Sequence, residues 1–127
     1  LVIFSEECEL RRQVAQRYDK LLSGIPGIQT PVVADGNESV YAQYTILLPD
    51  RDRLSQHLVA VGIPSTAYYA NPLHLQGAFT DLGHTRGDFP ITEIVASECL
   101  SLPMSAYVSH NDQELTAEEI SRFCHSM

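Results

Sequence analysis

The chain opens on a helical period. Leu10, Val14, Tyr18 and Leu21-Leu22 recur every three to four positions, which puts them on one apolar stripe of an amphipathic helix over residues 5–22. Ser5 ahead of Glu6 and Glu7 suits an N-cap followed by acids at the positive end of the helix dipole. Gly24, Ile25-Pro26 and Gly27 end the pattern, and residues 29–37, with Pro31, Gly36 and Asn37, read as strand edge plus turn. The period then drops to two. Over residues 39–48, Val40, Ala42, Tyr44, Ile46 and Leu48 share one face, and Tyr41, Gln43, Thr45 and Leu47 the other, which predicts a strand. Asp50 is placed to cap a second helix, with Leu54, Leu58 and Val61 as its buried stripe and Gly62 as a left-handed stop. Residues 63–66 read as extended and residues 67–89 as irregular. Pro90 suits the first position of a short helix running to about Glu98. Leu100-Ser101-Leu102 reads as a strand that Pro103 stops. Thr116-x-x-Glu119 has capping-box spacing and predicts the start of a last helix, with Ile120, Phe123, Cys124 and Met127 as its stripe. The sum is an α/β or α+β module, a small, mostly antiparallel sheet covered by helices.

Composition narrows the function. The 127 residues are 44% hydrophobic, enough for one domain with its own core. A formal net charge of −8 repels phosphate backbones and anionic membrane surfaces, so neither nucleic acid nor membrane is an expected partner. No apolar run approaches the roughly 20 residues that cross a bilayer. Leu1-Val2-Ile3-Phe4 followed by acids is too short for a signal peptide, and the abrupt opening suggests a chain cut from something longer. Cys8, Cys99 and Cys124 are odd in number and widely spaced, which fits a reducing cytoplasm better than a disulfide framework.

Candidate chemistry concentrates in one segment. Tyr68-Tyr69-Ala70-Asn71-Pro72-Leu73-His74-Leu75-Gln76 carries two phenols, two amides and an imidazole in nine residues, stiffened by Pro72. Such a loop offers several fixed hydrogen bonds to an oxygen-rich ligand. The same composition also suits a surface loop with packed tyrosines and a solvated histidine. His57, His74, His84 and Cys99 match no zinc spacing, so no metal site is expected. Cys99 falls near a helix C-terminus, where the dipole disfavours a thiolate, and reads as buried and inert. There is no nucleophile elbow and no glycine-rich phosphate loop.

Several motifs together carry a family resemblance. They are Arg51-Asp52-Arg53-Leu54, then Gly62-Ile63-Pro64-Ser65-Thr66, then Tyr69-x-x-Pro72-Leu73-His74-x-Gln76, then Gly87-Asp88-Phe89-Pro90-Ile91-Thr92-Glu93, and last Leu100-Ser101-Leu102-Pro103-Met104. Arg12-x-x-x-Ala15-x-x-Tyr18-x-x-x-Leu22 precedes them. In this order they resemble the C-terminal small domain of the DegT/DnrJ/EryC1/StrS sugar aminotransferases, on the type I aminotransferase fold.

The resemblance implies a parent enzyme that uses pyridoxal phosphate to convert a ketone on a nucleotide-linked sugar to an amine, with glutamate as donor. It implies that residues 1–127 are the C-terminal domain alone and that the large N-terminal domain, with the cofactor lysine, is absent, leaving this chain inactive and without bound cofactor. Lys20, the single lysine, matches the opening helix and not the cofactor lysine. No catalytic residue is therefore assigned here. The resemblance gives Tyr69 and His74 contact with sugar or diphosphate oxygens, with Tyr68 and Gln76 beside them. It makes the element at residues 100–104 a packing seam against the large domain, and it implies a homodimeric parent. His74-Leu75-Gln76 with Gly87-Asp88-Phe89-Pro90 looks closest to members acting on 3-keto, N-acetylated sugar-uronic acid nucleotides. The alternative is a non-catalytic binding or scaffold module with the same small-domain fold.

Overall fold

The structure is a computed structural model and describes residues 2–126. Leu1 of the opening apolar run and Met127 of the last stripe lie outside the described residues. Helix α1 (Val2–Leu22) is followed by strand β1 (Tyr44–Leu47), α2 (Arg51–Ala60), α3 (Pro90–Glu98), β2 (Cys99–Leu102) and α4 (His110–His125). The mixed fold, a small antiparallel sheet against helices, is the one the pattern predicts.

Helix α1 buries Val14, Ala15, Tyr18 and Leu22, the expected stripe, with Leu10 and Leu21 half-buried. It starts earlier than Ser5, which lies inside it. Nothing between residues 2 and 5 breaks a helix, and an interior serine costs only a few tenths of a kcal/mol, roughly 0.5 relative to alanine.

The strand expected over residues 39–48 is confined to Tyr44–Leu47. Tyr41 takes a left-handed backbone, φ 44°, which ends the ladder and leaves Val40 and Ala42 exposed. Local bonds hold that turn. The Arg11 guanidinium donates to the Tyr41 carbonyl (3.2 Å), and the Tyr41 amide donates to Ser39 Oγ (3.1 Å). β1 pairs antiparallel with β2, Tyr44 opposite Leu102 and Leu47 opposite Cys99. Single-residue bridges extend the pair on both sides, Gln29 to Leu47 and Thr66 to Ser101. The extended stretches expected around residues 29–37 and 63–66 reduce to these bridges.

Asp50 stands at the N-cap of α2, but its carboxylate turns to Arg53 (3.1 Å) and not to a backbone amide. Leu54 and Leu58 are buried, while Val61 lies past the helix end and is exposed. Gly62 supplies the left-handed stop, φ 82°. Pro90 opens α3 as expected.

The last helix corrects the capping assignment. Its cap is Ser109, whose Oγ accepts from the Asp112 amide (3.1 Å) and donates to Asp112 Oδ2 (2.6 Å). Thr116 and Glu119 lie inside the helix and are buried. Thr116 Oγ1 bonds back to the Asp112 carbonyl (2.7 Å). Glu119 takes His57 Nε2 of α2 (3.0 Å) and Arg122 (2.7 Å). Serine and aspartate at 109 and 112 repeat the capping spacing one step upstream, which hid the true start.

One core holds these elements together, with α4 packed on α1 and α2 and the sheet beneath. Tyr18 and Tyr44 lie with ring centroids 5.0 Å apart at its centre. Tyr18 Oη donates to the Pro103 carbonyl (3.0 Å), and burial pushes its phenol up to about 12. Tyr44 Oη donates to Asp19 Oδ1 (2.5 Å). Leu100 and Leu102 are taken up by this core, while Pro103 and Met104, the end of the element expected as a seam, stay half-buried. Gln113 is fully buried. It donates to the Val14 carbonyl (2.9 Å) and accepts from Arg17, joining α4 to α1. Gln113→Ala removes both bonds and opens a cavity, so urea denaturation is expected to show a loss of about 2–3 kcal/mol. A loss below about 0.5 kcal/mol, the scale of a surface change, contradicts this account.

Candidate substrate-facing site

Sheet alternation puts Thr45, Ser101 and Cys99 on the face opposite Tyr44, Ile46, Leu100 and Leu102. Thr45 Oγ1 and Ser101 Oγ lie 2.7 Å apart on that second face. There they floor an open cavity of about 480 Å³. Helix α3 supplies one wall through Ile91, Thr92 and Val95, and the segment after residue 67 supplies the other through Tyr68, Tyr69, Asn71 and Gln76.

That segment is built from short turns. Pro72 enters in extended geometry, φ −55° and ψ 142°, and a single 3-10 turn follows at Leu73–Leu75. Gln76 is extended again and leads into a second turn, Gly77–Leu82. Gln76 Nε2 donates to the Asn71 carbonyl (3.0 Å), closing the loop on itself. Tyr68 and Tyr69 remain exposed at 57% and 75%.

The four residues singled out from sequence fall in two places. Tyr68, Tyr69 and Gln76 line the cavity, and His74 does not. The His74 side chain is only 7% exposed, and its Nε2 lies 3.0 Å from Glu93 Oε1. Phe89 packs on its ring at 4.8 Å between centroids. Of the four residues weighed as metal ligands, His74 and His84 both pack on Phe89, while His57 and Cys99 lie elsewhere. His57 meets Glu119, His74 meets Glu93, His84 lies 3.5 Å from Asp88, and Cys99 is in the cavity floor. Sequence reasoning missed Gln43, Thr45, Thr92 and Ser101 in the lining. Gln43 and Thr45 stood on the polar side of the alternating strand, a signal that marks the second face without saying what covers it.

Glu93 was also missed. Its Oε1 accepts from the Gly87 amide (2.7 Å) as well as facing His74, and Arg86 stands 3.8 Å from Oε2. The Gly87 amide above all holds its carboxyl below the usual carboxylate value; burial opposes it, and the His74 ring adds to the lowering. Asp88 is lowered likewise, chiefly by the Thr85 amide at 2.9 Å.

Residues 1–121 match the DegT/DnrJ/EryC1/StrS aminotransferase family, and the chain belongs to it. A pleiotropic regulatory protein of Geobacillus stearothermophilus is 41% identical over 117 residues, 91% of this chain and 32% of that protein. UDP-2-acetamido-2-deoxy-3-oxo-D-glucuronate aminotransferase of Pseudomonas aeruginosa is 39% identical over 108 residues, 85% of this chain and 29% of that protein. Among solved structures, S. venezuelae DesV in complex with a ketimine intermediate superposes with a TM-score of 0.94 at 28% identity, covering 98% of this chain and 33% of that one. The chain thus spans about a third of the length of the relatives it matches. No helix among the described residues is long and apolar enough to cross a membrane.

The family implies pyridoxal phosphate, and the cavity does not fit that group by itself. An imine needs an amine, the pyridine nitrogen an acid, and the phosphate a set of donors or cations. The cavity lining holds no lysine, arginine, aspartate or glutamate. Lys20 is exposed in the last turn of α1 and is not part of the lining.

The Glu93 geometry carries a pH signature. A lowered carboxyl contributes stability above its unfolded value of 4.5, and that stability is lost as pH falls through the lower folded value. Asp88, with an ordinary value of 3.8, acts in the same direction. His74, Arg86 and His84 are the cationic or titratable partners facing the pair. The Gly87 and Thr85 amide resonances are therefore expected to show a transition below about pH 4.5, ahead of core unfolding. Amide resonances that show no transition below pH 4.5 before the core unfolds contradict this.

Proposed function

We propose that this chain is the substrate-facing small domain of a pyridoxal-phosphate-dependent aminotransferase that converts a ketone on a nucleotide-linked sugar to an amine, with glutamate as donor. The observation that carries this reading is an uncharged, largely apolar cavity with hydrogen-bonding groups at Tyr68, Tyr69 and Gln76 on its border, in a member of this family. A preceding large domain brings the cofactor and its lysine, consistent with a chain one third the length of its relatives.

In this reading the phenols of Tyr68 and Tyr69 donate to sugar oxygens, and the free atoms of the Gln76 amide complete the set. Ile91 and Val95 offer the apolar surface on which a sugar ring face packs. His74 stands behind the loop and holds it, since its Nε2 is committed to Glu93. The charges of the substrate meet cations outside this lining. The likeness to the Pseudomonas aeruginosa enzyme supports a UDP-linked, N-acetylated 3-oxo sugar acid as substrate. Exposed Leu82 and Ile94, outside the cavity lining, suit burial against the large domain or a second subunit of a homodimer. Three unpaired, buried cysteines and the acidic composition fit a cytoplasmic enzyme.

The regulatory relative supports a second reading, a non-catalytic module on the same fold. One assay separates the two. The parent polypeptide, given pyridoxal phosphate, glutamate and the UDP-linked 3-oxo sugar acid, is expected to yield the amino sugar by mass spectrometry. Tyr69→Phe is expected to raise KM for the sugar about three- to tenfold, the loss of one neutral hydrogen bond, with KM for glutamate unchanged. No amino sugar from the cofactor-loaded parent favours the module. A stoichiometric visible imine on Lys20 of this chain alone overturns the domain assignment.

A further inference from the structure

We infer that Glu93 is a positioning residue for the substrate-facing loop, its one carboxylate fastening residues 74–87 against α3 and so setting where Tyr68, Tyr69 and Gln76 stand around the cavity. This rests on the reading of the cavity as the sugar site.

Beyond the Thr66–Ser101 bridge at its start and the packing of Phe89 on His74 and His84, the loop has little else to hold it. Residues 77–92 are all exposed, and none of them pairs in the sheet. Its backbone bonds are local, Leu75 to Pro72, Gln76 to Leu73, Phe79 to Gln76, Gly83 to Thr80 and Asp88 to Thr85. Bonds of this reach fix each turn and leave the turns free to move against one another. Glu93 closes the longer spans. It reaches 19 residues back to His74 and 6 back to Gly87.

The chemistry selects a carboxylate. A charged carboxylate gives no proton, so both the Gly87 amide and His74 Nε2 donate to Oε1, while the exposed Arg86 stands 3.8 Å from Oε2. The site is sheltered, with side-chain exposures of 7% at His74 and 13% at Glu93, and Phe89 covers the imidazole. Next along α3, Thr92 lines the cavity, and Gln76 lies two residues beyond His74. Movement at the fastening therefore reaches the cavity wall directly, without passing through the core.

Two variants test this, Glu93→Ala and Glu93→Gln. In this chain, Glu93→Ala is expected to speed hydrogen exchange of the Gly87 amide about tenfold or more, the range for a lost charge-assisted bond, with α1 and α4 amides unchanged. Glu93→Gln keeps an acceptor oxygen and is expected to recover part of the protection. In the proposed parent loaded with cofactor, Glu93→Ala is expected to raise KM for the nucleotide-linked sugar about tenfold, leaving KM for glutamate and the cofactor absorbance as they were. An unchanged Gly87 exchange rate in Glu93→Ala overturns the proposal. So does a joint rise of both KM values with loosened α1 and α4, since that is general destabilisation. A parent that aminates no nucleotide-linked sugar sinks the functional reading, and the exchange rates then decide the fastening alone.

Discussion

The architecture depends on four residue pairs of antiparallel backbone. Because side chains alternate along a strand, the β1–β2 ladder has two faces with different duties. Tyr44 opposite Leu102 and Ile46 opposite Leu100 point into the core, while Thr45 opposite Ser101 points the other way. A shift of one residue in either strand exchanges the two sets, burying hydroxyls and exposing the core. The Tyr18–Tyr44 contact and the bond from Tyr18 to Pro103 guard against that shift, because they tie α1 to both strands at the Tyr44–Leu102 end of the ladder. Arg51 adds a further tie. It is buried at the start of α2 and donates to the Cys99 carbonyl (2.9 Å), fixing the point where α3 turns into β2. Its Nε lies 2.6 Å from Asp52 Oδ1, a charge contact that is not aligned as a hydrogen bond.

The helices and the centre of the sheet were legible in the chain because burial there follows a single period. Val14, Tyr18 and Leu22 obey 3.6, and Tyr44, Ile46 and Leu48 obey 2. Errors arose where a local signal competed with a distant partner. Thr116 and Glu119 imitate a cap, yet Glu119 is held inside α4 by His57 from another helix. Tyr41 fits a strand pattern, yet Arg11 bonds its carbonyl in a left-handed turn. No window of sequence contains either partner.

The candidate site shows the same division. Tyr68, Tyr69 and Gln76 were readable as a cluster of polar groups in one rigid stretch. Their placement beside Thr45, Thr92 and Ser101 depends on long-range pairing and was not readable. His74, given substrate contact by the family resemblance, lies behind the cavity lining, and its Nε2 faces a carboxylate 19 positions later. Motif order gave the family where periodicity gave only a fold class, and membership over residues 1–121 agrees with it.

Since the polar wall of the cavity shares no ladder hydrogen bonds beyond the Thr66–Ser101 bridge, its side chains are only loosely coupled to the folding of the scaffold. Point changes among residues 68–76 leave the tyrosine pair and the buried leucines untouched. Such an arrangement separates evolvability from stability: one robust frame is free to present many different polar surfaces, each reached by a few exposed exchanges and none requiring the interior to be rebuilt.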